Sequence, residues 1–207
     1  KNEQRLRRSI PDKAYVIVHI AQPIPCKRFD ILAEVVANLV KEGIDAHLLQ
    51  LGRDPNTHEE RNYLSQFRGW INAHNITDRV HRTGFVSDIS AELAIADVVL
   101  HTSDIEGFPN AVIESLAMEK PVVATSAGGT SEVLRHRETG WLTDTGDVDA
   151  LTKGVLHTYR HPNAAAAWAK NGRRLVEREF SVDSLVRNTT ALYKSLLRHR
   201  GYEIPSD

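Results

Sequence analysis

The chain has little of what commits a protein to a special environment. Of its 207 residues only Cys26 is a cysteine, which excludes a disulfide framework and a cluster of thiolate metal ligands. A reducing, cytoplasmic compartment fits. Neither charge is in excess: 26 Lys and Arg face 27 Asp and Glu, a formal net charge of -1. Without a long basic block, nucleic acid is not an expected partner, and any anion site must be local. No apolar run approaches the roughly 18 to 20 residues of a membrane-spanning helix, and no charged-then-apolar signal segment opens the chain. Peripheral membrane contact, through a domain outside this chain, stays open. The one methionine is Met118, and the chain starts "KNEQRLRRSIPDK". It therefore reads as an excised domain or a piece of a longer enzyme.

What is present suits one ordinary globular domain: 41% apolar and 26% charged residues, enough for a core without staples. Short apolar runs recur at 15–21, 46–52, 79–85, 97–103 and 121–126, with a weaker one at 140–144. Stretches of helical period separate the first five, at 28–42, 58–74, 88–95 and 109–119. Near-continuous apolar strands alternating with helices predict an α/β, Rossmann-like parallel sheet of about six strands with helices on both faces. The last third predicts three C-terminal helices, Asp147 to Arg160, Asn163 to Glu179 and Ser181 to about Arg198, with Ser181 as an N-cap. The domain spans 15–198, with 199–207 a tail. The highly charged segment 1–14 reads as a linker or tether, or as a first helix.

In open parallel sheets ligands bind beyond the carboxyl ends of the strands. Four loops meet there. In "SDIEGFPNAVIESLAM" (103–118) Glu106 precedes a Gly107-Phe108-Pro109 turn and Glu114 follows it. If a helix starts at Pro109, the missing proline N–H costs nothing, and the amides of Asn110 and Ala111 face the crevice as anion donors. Glu114 falls on the stripe of Asn110, where a partly buried carboxylate would want the two hydroxyls of a ribose. Spacing alone equally allows a charged loop and a solvated helix. In "AQPIPCKRFD" (21–30), Lys27 lies just before a helix, placed for a diphosphate, unless it is only an exposed loop lysine. Cys26 reads as a small buried apolar group.

Other signals stay weak. The ten histidines form no metal signature, because "HEERN" (58–62) has Asn62 where a zinc motif needs its second histidine. His101 reads as a core histidine, and His157 with His161 as decoration of a helix end. "SAGGTSE" (126–132) has neither GxGxxG nor a Walker lysine, and no GxSxG elbow occurs.

Taken together, "CKRFD" at 26–30, "TGFVSD" at 83–88, "EGFPNAVIE" at 106–114, "KPVVATSAGGTSEV" at 120–133, "TGWL" at 139–142 and the ending "FSVDSLVRNTTALYKSLL" resemble the C-terminal, donor-binding half of the family 4 retaining glycosyltransferases of GT-B fold. The resemblance covers 14–198. It implies a nucleotide-sugar donor carrying UDP or GDP, no metal and no cofactor, and transfer with retention to an acceptor hydroxyl. By the family pattern Glu114 binds the ribose, Lys27 the diphosphate, Glu106 the donor sugar, and Gly107, Phe108, Pro109, Asn110 and Ala111 the phosphate and sugar. Gly84, Phe85 and Val86 border the base. Lys27 and Glu106 are the implied catalytic pair. Where the family has an arginine before the lysine, this chain has Ala21 or Gln22. The resemblance also implies an N-terminal acceptor-binding domain that the chain lacks, so that the isolated half is inactive. Epimerases, phosphorylases and synthases use the same half-fold, and a non-catalytic nucleotide-binding module is the remaining alternative.

Overall fold

The computed structural model of the chain describes residues 2–202. Six strands, β1 (Tyr15–Ile20), β2 (Ala46–Leu51), β3 (Val80–Gly84), β4 (Val98–His101), β5 (Val122–Thr125) and β6 (Trp141–Thr143), form one sheet in the order β3-β2-β1-β4-β5-β6. Every pairing is parallel. The strands alternate with α2 (Phe29–Lys41), α3 (His58–Ala73), α4 (Ile89–Ala94), α5 (Asn110–Ala117) and α6 (Thr130–Val133). They are followed by α7 (Val148–Arg160), α8 (Pro162–Glu179) and α9 (Val182–His199).

Both sheet faces are covered, which is why the strands are apolar throughout. Ile17, Leu48, Val98, Leu100 and Val123 pack on one face with residues of α2, α3 and α7. Their strand neighbours Val16, Val18, Leu49, Val99, Val122 and Ala124 pack on the other, against α4, α5, α6 and α8. This alternation follows from the period of two along a strand. Several helix starts carry a side-chain cap, among them the one expected at Ser181. Thr57 and Glu60 form a capping box on α3, Asp147 accepts from Ala150 N, and Ser181 Oγ accepts from Ser184 N. The last helix differs from the rest, since only Ser184 of α9 is buried while Leu185, Leu192 and Leu196 stay exposed.

Of the two readings of residues 1–14, the tether is corrected. α1 (Asn2–Arg7) is docked through a buried arginine: Arg5 donates to the carbonyls of Asp12 and Ala14 at 2.7 and 2.8 Å and pairs with Asp97 at 2.9 Å. Gln4 and Arg8 bind the buried Glu92 of α4. At the other end α9 closes at His199, and the expected tail beyond Tyr202 lies outside the described residues.

His19 in β1 is fully buried against the ring of Phe29, centroids 5.1 Å apart, and neither ring nitrogen has a hydrogen-bond partner among the described residues. Burial first, then the nearby His101 and Lys27, push its pKa down to about 3, against an opposing pull from Glu106. The folded ring is therefore neutral, while the unfolded ring takes up a proton near its ordinary value of about 6.5. This contribution to stability is intact above that value and is lost as pH falls toward about 3, by about 2 kcal/mol at about pH 5. Urea unfolding near neutral pH and near pH 5 should show the chain losing about 2 kcal/mol more than its His19→Leu variant. Equal losses would overturn this assignment.

Candidate functional site

The strand order reverses between β1 and β4, and α2 and α5 leave these neighbours for opposite faces of the sheet. A crevice opens at that switch point. On one side a short 3-10 turn, Pro25–Lys27, follows β1 and ends at Arg28, whose φ of 49° lies in the left-handed region. On the other side the chain leaves β4 at Thr102. Two bonds stitch the loops together: Thr102 Oγ1 donates to the Lys27 carbonyl and Asp104 N–H to the Cys26 carbonyl, both at 2.8 Å. The Arg28 guanidinium bridges Asp30 and Asp104, each at 2.8 Å.

This stitching brings together the two residues that the resemblance paired. Lys27 Nζ lies 2.5 Å from Glu106 Oε1, with side chains 19% and 11% exposed. Burial alone would raise the Glu106 pKa, but the neighbouring His101, Lys27 and Ser103 outweigh it and bring the group down to about 2. Glu106 is thus a carboxylate in any ordinary buffer. His101, read from the sequence as a core residue, is buried as expected but places Nε2 2.9 Å from the same Oε1. The available signal was its place at the end of an apolar strand, five residues before Glu106.

The backbone of Glu106 is fixed from behind by the glycine loop after β5. Gly128, at φ 50°, lies so close that a β-carbon there would fall 1.9 Å from the Glu106 carbonyl oxygen, and Gly129 N–H donates to Gly107 O at 3.2 Å. A glycine signal that was weak in the sequence is thus strong in the structure.

Beyond the turn the helix starts one residue later than expected. Pro109 is the N-cap of α5, and the Asn110 N–H is taken by the Phe108 carbonyl at 3.0 Å, so it is not a free anion donor. Ala111, in the first turn, lacks an intrahelical acceptor for its N–H. Phe108 is 46% exposed and leans on Phe180, ring centroids 5.6 Å apart. Glu114 follows on α5 with no hydrogen bond or ion pair among the described residues, and its side chain is exposed where partial burial was expected. Surrounding protein still desolvates it enough to raise its pKa.

Gly84 ends β3 and Phe85 and Val86 follow it, two strands out from β1, which is about 10 Å at the usual strand spacing. Gly84 adopts φ 73° and Phe85 is 77% exposed, whereas Val86 packs against the core. Gln22 is held by Arg53, whose Nη2 lies 3.1 Å from the amide oxygen, and Arg53 is itself clamped by Glu60 at 2.5 Å. A cavity of about 590 Å³, lined by Arg5, Tyr15, Asp97 and Tyr159, lies at the opposite, amino-terminal edge of the strands and touches none of these residues. Among the described residues no group of three or more His, Cys, Asp or Glu side chains is arranged to hold a metal, and no helix is long and apolar enough to cross a membrane.

Residues 1–175 match the family described as glycosyl transferases group 1. The chain belongs to this family. Among its group 1 relatives, N-acetyl-alpha-D-glucosaminyl L-malate synthase of Bacillus anthracis is 26% identical over 189 residues, 91% of this chain and 48% of the relative. An MMP alpha-(1->4)-mannosyltransferase of Mycolicibacterium hassiacum is 30% identical over 186 residues, 88% of this chain and 43% of the relative. Among solved structures, HepE of Anabaena, in complex with UDP and glucose, superposes with a TM-score of 0.86 at 25% identity, covering 94% of this chain and 51% of that one. The chain spans about half the length of the curated relatives it matches.

The contact behind Glu106 gives a direct test. Gly128→Ala should lower stability by about 2 kcal/mol, from the clash and the left-handed backbone together. Gly107→Ala, whose β-carbon would meet nothing within 4 Å, should stay within about 0.5 kcal/mol of the parent. Urea unfolding measures both, and a tolerated alanine at 128 would contradict the close approach.

Proposed function

We propose that this chain is the donor-binding half of a retaining glycosyltransferase that moves a sugar from a nucleoside diphosphate to an acceptor hydroxyl. The observation that carries the reading is the placement of Lys27 and Glu106 together at the β1–β4 switch point, with Glu114 unpartnered on the helix that leaves it. An ammonium there meets a diphosphate, and a carboxylate without a partner is ready to accept hydrogen bonds from two ribose hydroxyls. Lys27 then stabilises the negative charge that grows on the leaving diphosphate, where a preorganised cation contributes most to rate. Glu106 orients the donor sugar. The complex of HepE with UDP and glucose supports this class of donor. The alpha linkage in the name of the Mycolicibacterium relative supports retention, since an α-configured donor yields an α-linked product when configuration is kept.

The acceptor site belongs, in this reading, to a second domain, and the half-length match to the relatives supports it. No metal or cofactor takes part. Against a non-catalytic module stands the paired Lys27 and Glu106, which a nucleotide clamp alone does not need.

Titration calorimetry with UDP and with GDP tests the ribose role. Glu114→Ala should weaken the nucleotide that binds by about tenfold or more, the scale of hydrogen bonds to a charged group. Because desolvation raises the Glu114 pKa, its acceptor is lost on acidification earlier than that of a free glutamate. Binding should therefore fall as pH drops, starting above the usual carboxylate range, and the alanine variant should lack this fall. Unchanged affinity in Glu114→Ala would remove the ribose role.

A further inference from the structure

Oε1 of Glu106 has two cationic or potentially cationic neighbours, and they differ in kind. Lys27 reaches it from a loop at the end of a flexible four-carbon stem, at 2.5 Å. His101 stands on β4, with its side chain 4% exposed, and its Nε2 is 2.9 Å away. That nitrogen is buried and, although close, not aligned well enough for a hydrogen bond, so it has no hydrogen-bond partner among the described residues. Facing a carboxylate, it carries the proton. The resting site thus contains one aligned donor that can swing away and one buried donor that cannot.

An incoming diphosphate finds Lys27 already neutralised. To meet the phosphates, the ammonium must leave Glu106, and the remaining carboxylate would then face new negative charge across a few ångströms with its main partner gone. Such a group swings out or takes up a proton unless another donor holds it. Its backbone cannot follow Lys27, because Gly128 and Gly129 pack directly behind 106 and 107. Only the side chain is free to turn, and the one step it needs is toward Nε2 of His101.

We propose that His101 is a positioning residue: it takes over Glu106 when Lys27 transfers to the diphosphate of the donor. Glu106 is thereby kept in place and ionised for the sugar. His101 meets neither the phosphates nor the reacting bond. The groups around this exchange are Lys27, Glu106, Ser103 and the neutral His19, each already coupled to Glu106 or His101. The inference rests on the reading of Lys27 as a diphosphate ligand, and its test separates the two.

Inorganic pyrophosphate is a suitable probe, since it carries the feature shared by all nucleoside diphosphate donors. Its affinity for the chain, followed by amide and imidazole NMR, should be lost in Lys27→Ala. If Lys27→Ala binds as the parent does, the diphosphate reading itself fails. His101→Phe should weaken binding by about five- to tenfold, the scale of one charge-assisted hydrogen bond, and His101→Gln, which keeps an N–H donor, should recover most of that loss. In a Glu106→Gln background, where no carboxylate needs holding, His101→Phe should change affinity by less than about twofold. A merely structural histidine would show the same loss in both backgrounds, and that result, or parental affinity in His101→Phe, would overturn the proposal. If His101→Phe does not fold, the parent chain still decides: saturation with pyrophosphate should move the Nε2–H resonance of His101 downfield as its bond to Glu106 forms. An unmoved resonance would sink the exchange.

Discussion

The crevice exists because two neighbouring strands send their following helices to opposite faces of the sheet. Once β1 leads to α2 on one side and β4 to α5 on the other, no helix can cover the gap between their carboxyl ends. Loops must line it instead, and backbone polar groups there need partners from across the gap. The bonds from Thr102 to Lys27 and from Asp104 to Cys26 meet that need. They also fix, as a by-product, the distance between an ammonium and a carboxylate that are 79 positions apart in the chain. The chemistry of the site is in this sense a consequence of topology.

Bringing opposite charges together in a half-buried crevice has a further effect. A lone lysine or glutamate there would pull in water or shift its protonation state, because burial disfavours the charged form. Side by side, with the histidine close by, the two form an ion pair largely withdrawn from bulk water. A group in that state interacts more strongly with a ligand than the same group in bulk water, since the surrounding dielectric is lower. The contrast with Glu114 is instructive. Having no partner and more exposure, it is governed by burial alone, and its pKa moves in the opposite direction to that of Glu106.

The sheet and its helices were legible because their signal is local. An apolar run such as "YVIVHI" reads as a strand covered on both faces, and Ser181 announces a helix start by its own side chain. The motif residues Lys27, Glu106 and Glu114 were legible through their order along the chain. What escaped is what depends on contacts between distant segments. α1 was invisible as a docked element because its anchor is a buried arginine, and the sequence gives no sign that Arg5 will meet the Ala14 carbonyl and Asp97. His101 looked like core because its strand is core. Gly128 matched no phosphate-loop pattern, since its purpose is to let a neighbouring carbonyl approach. The Asn110 amide was misread because a local turn back to the Phe108 carbonyl takes its N–H, and residue spacing does not show that turn.

The docking of α1 bears on how this unit can be cut from, or joined to, other protein. A boundary drawn at the first strand, where the apolar pattern starts, would remove the guanidinium that Asp97 meets, and Asp97 also accepts from the Val16 N–H of the central strand. It would uncover Glu92, whose side chain is 3% exposed beneath α1. Two carboxylates at the amino-terminal edge of the sheet would lose the guanidinium groups that now pair with them. The seam of this domain therefore runs outside the charged helix, and a splice or fusion that respects the fold must carry α1 with the sheet.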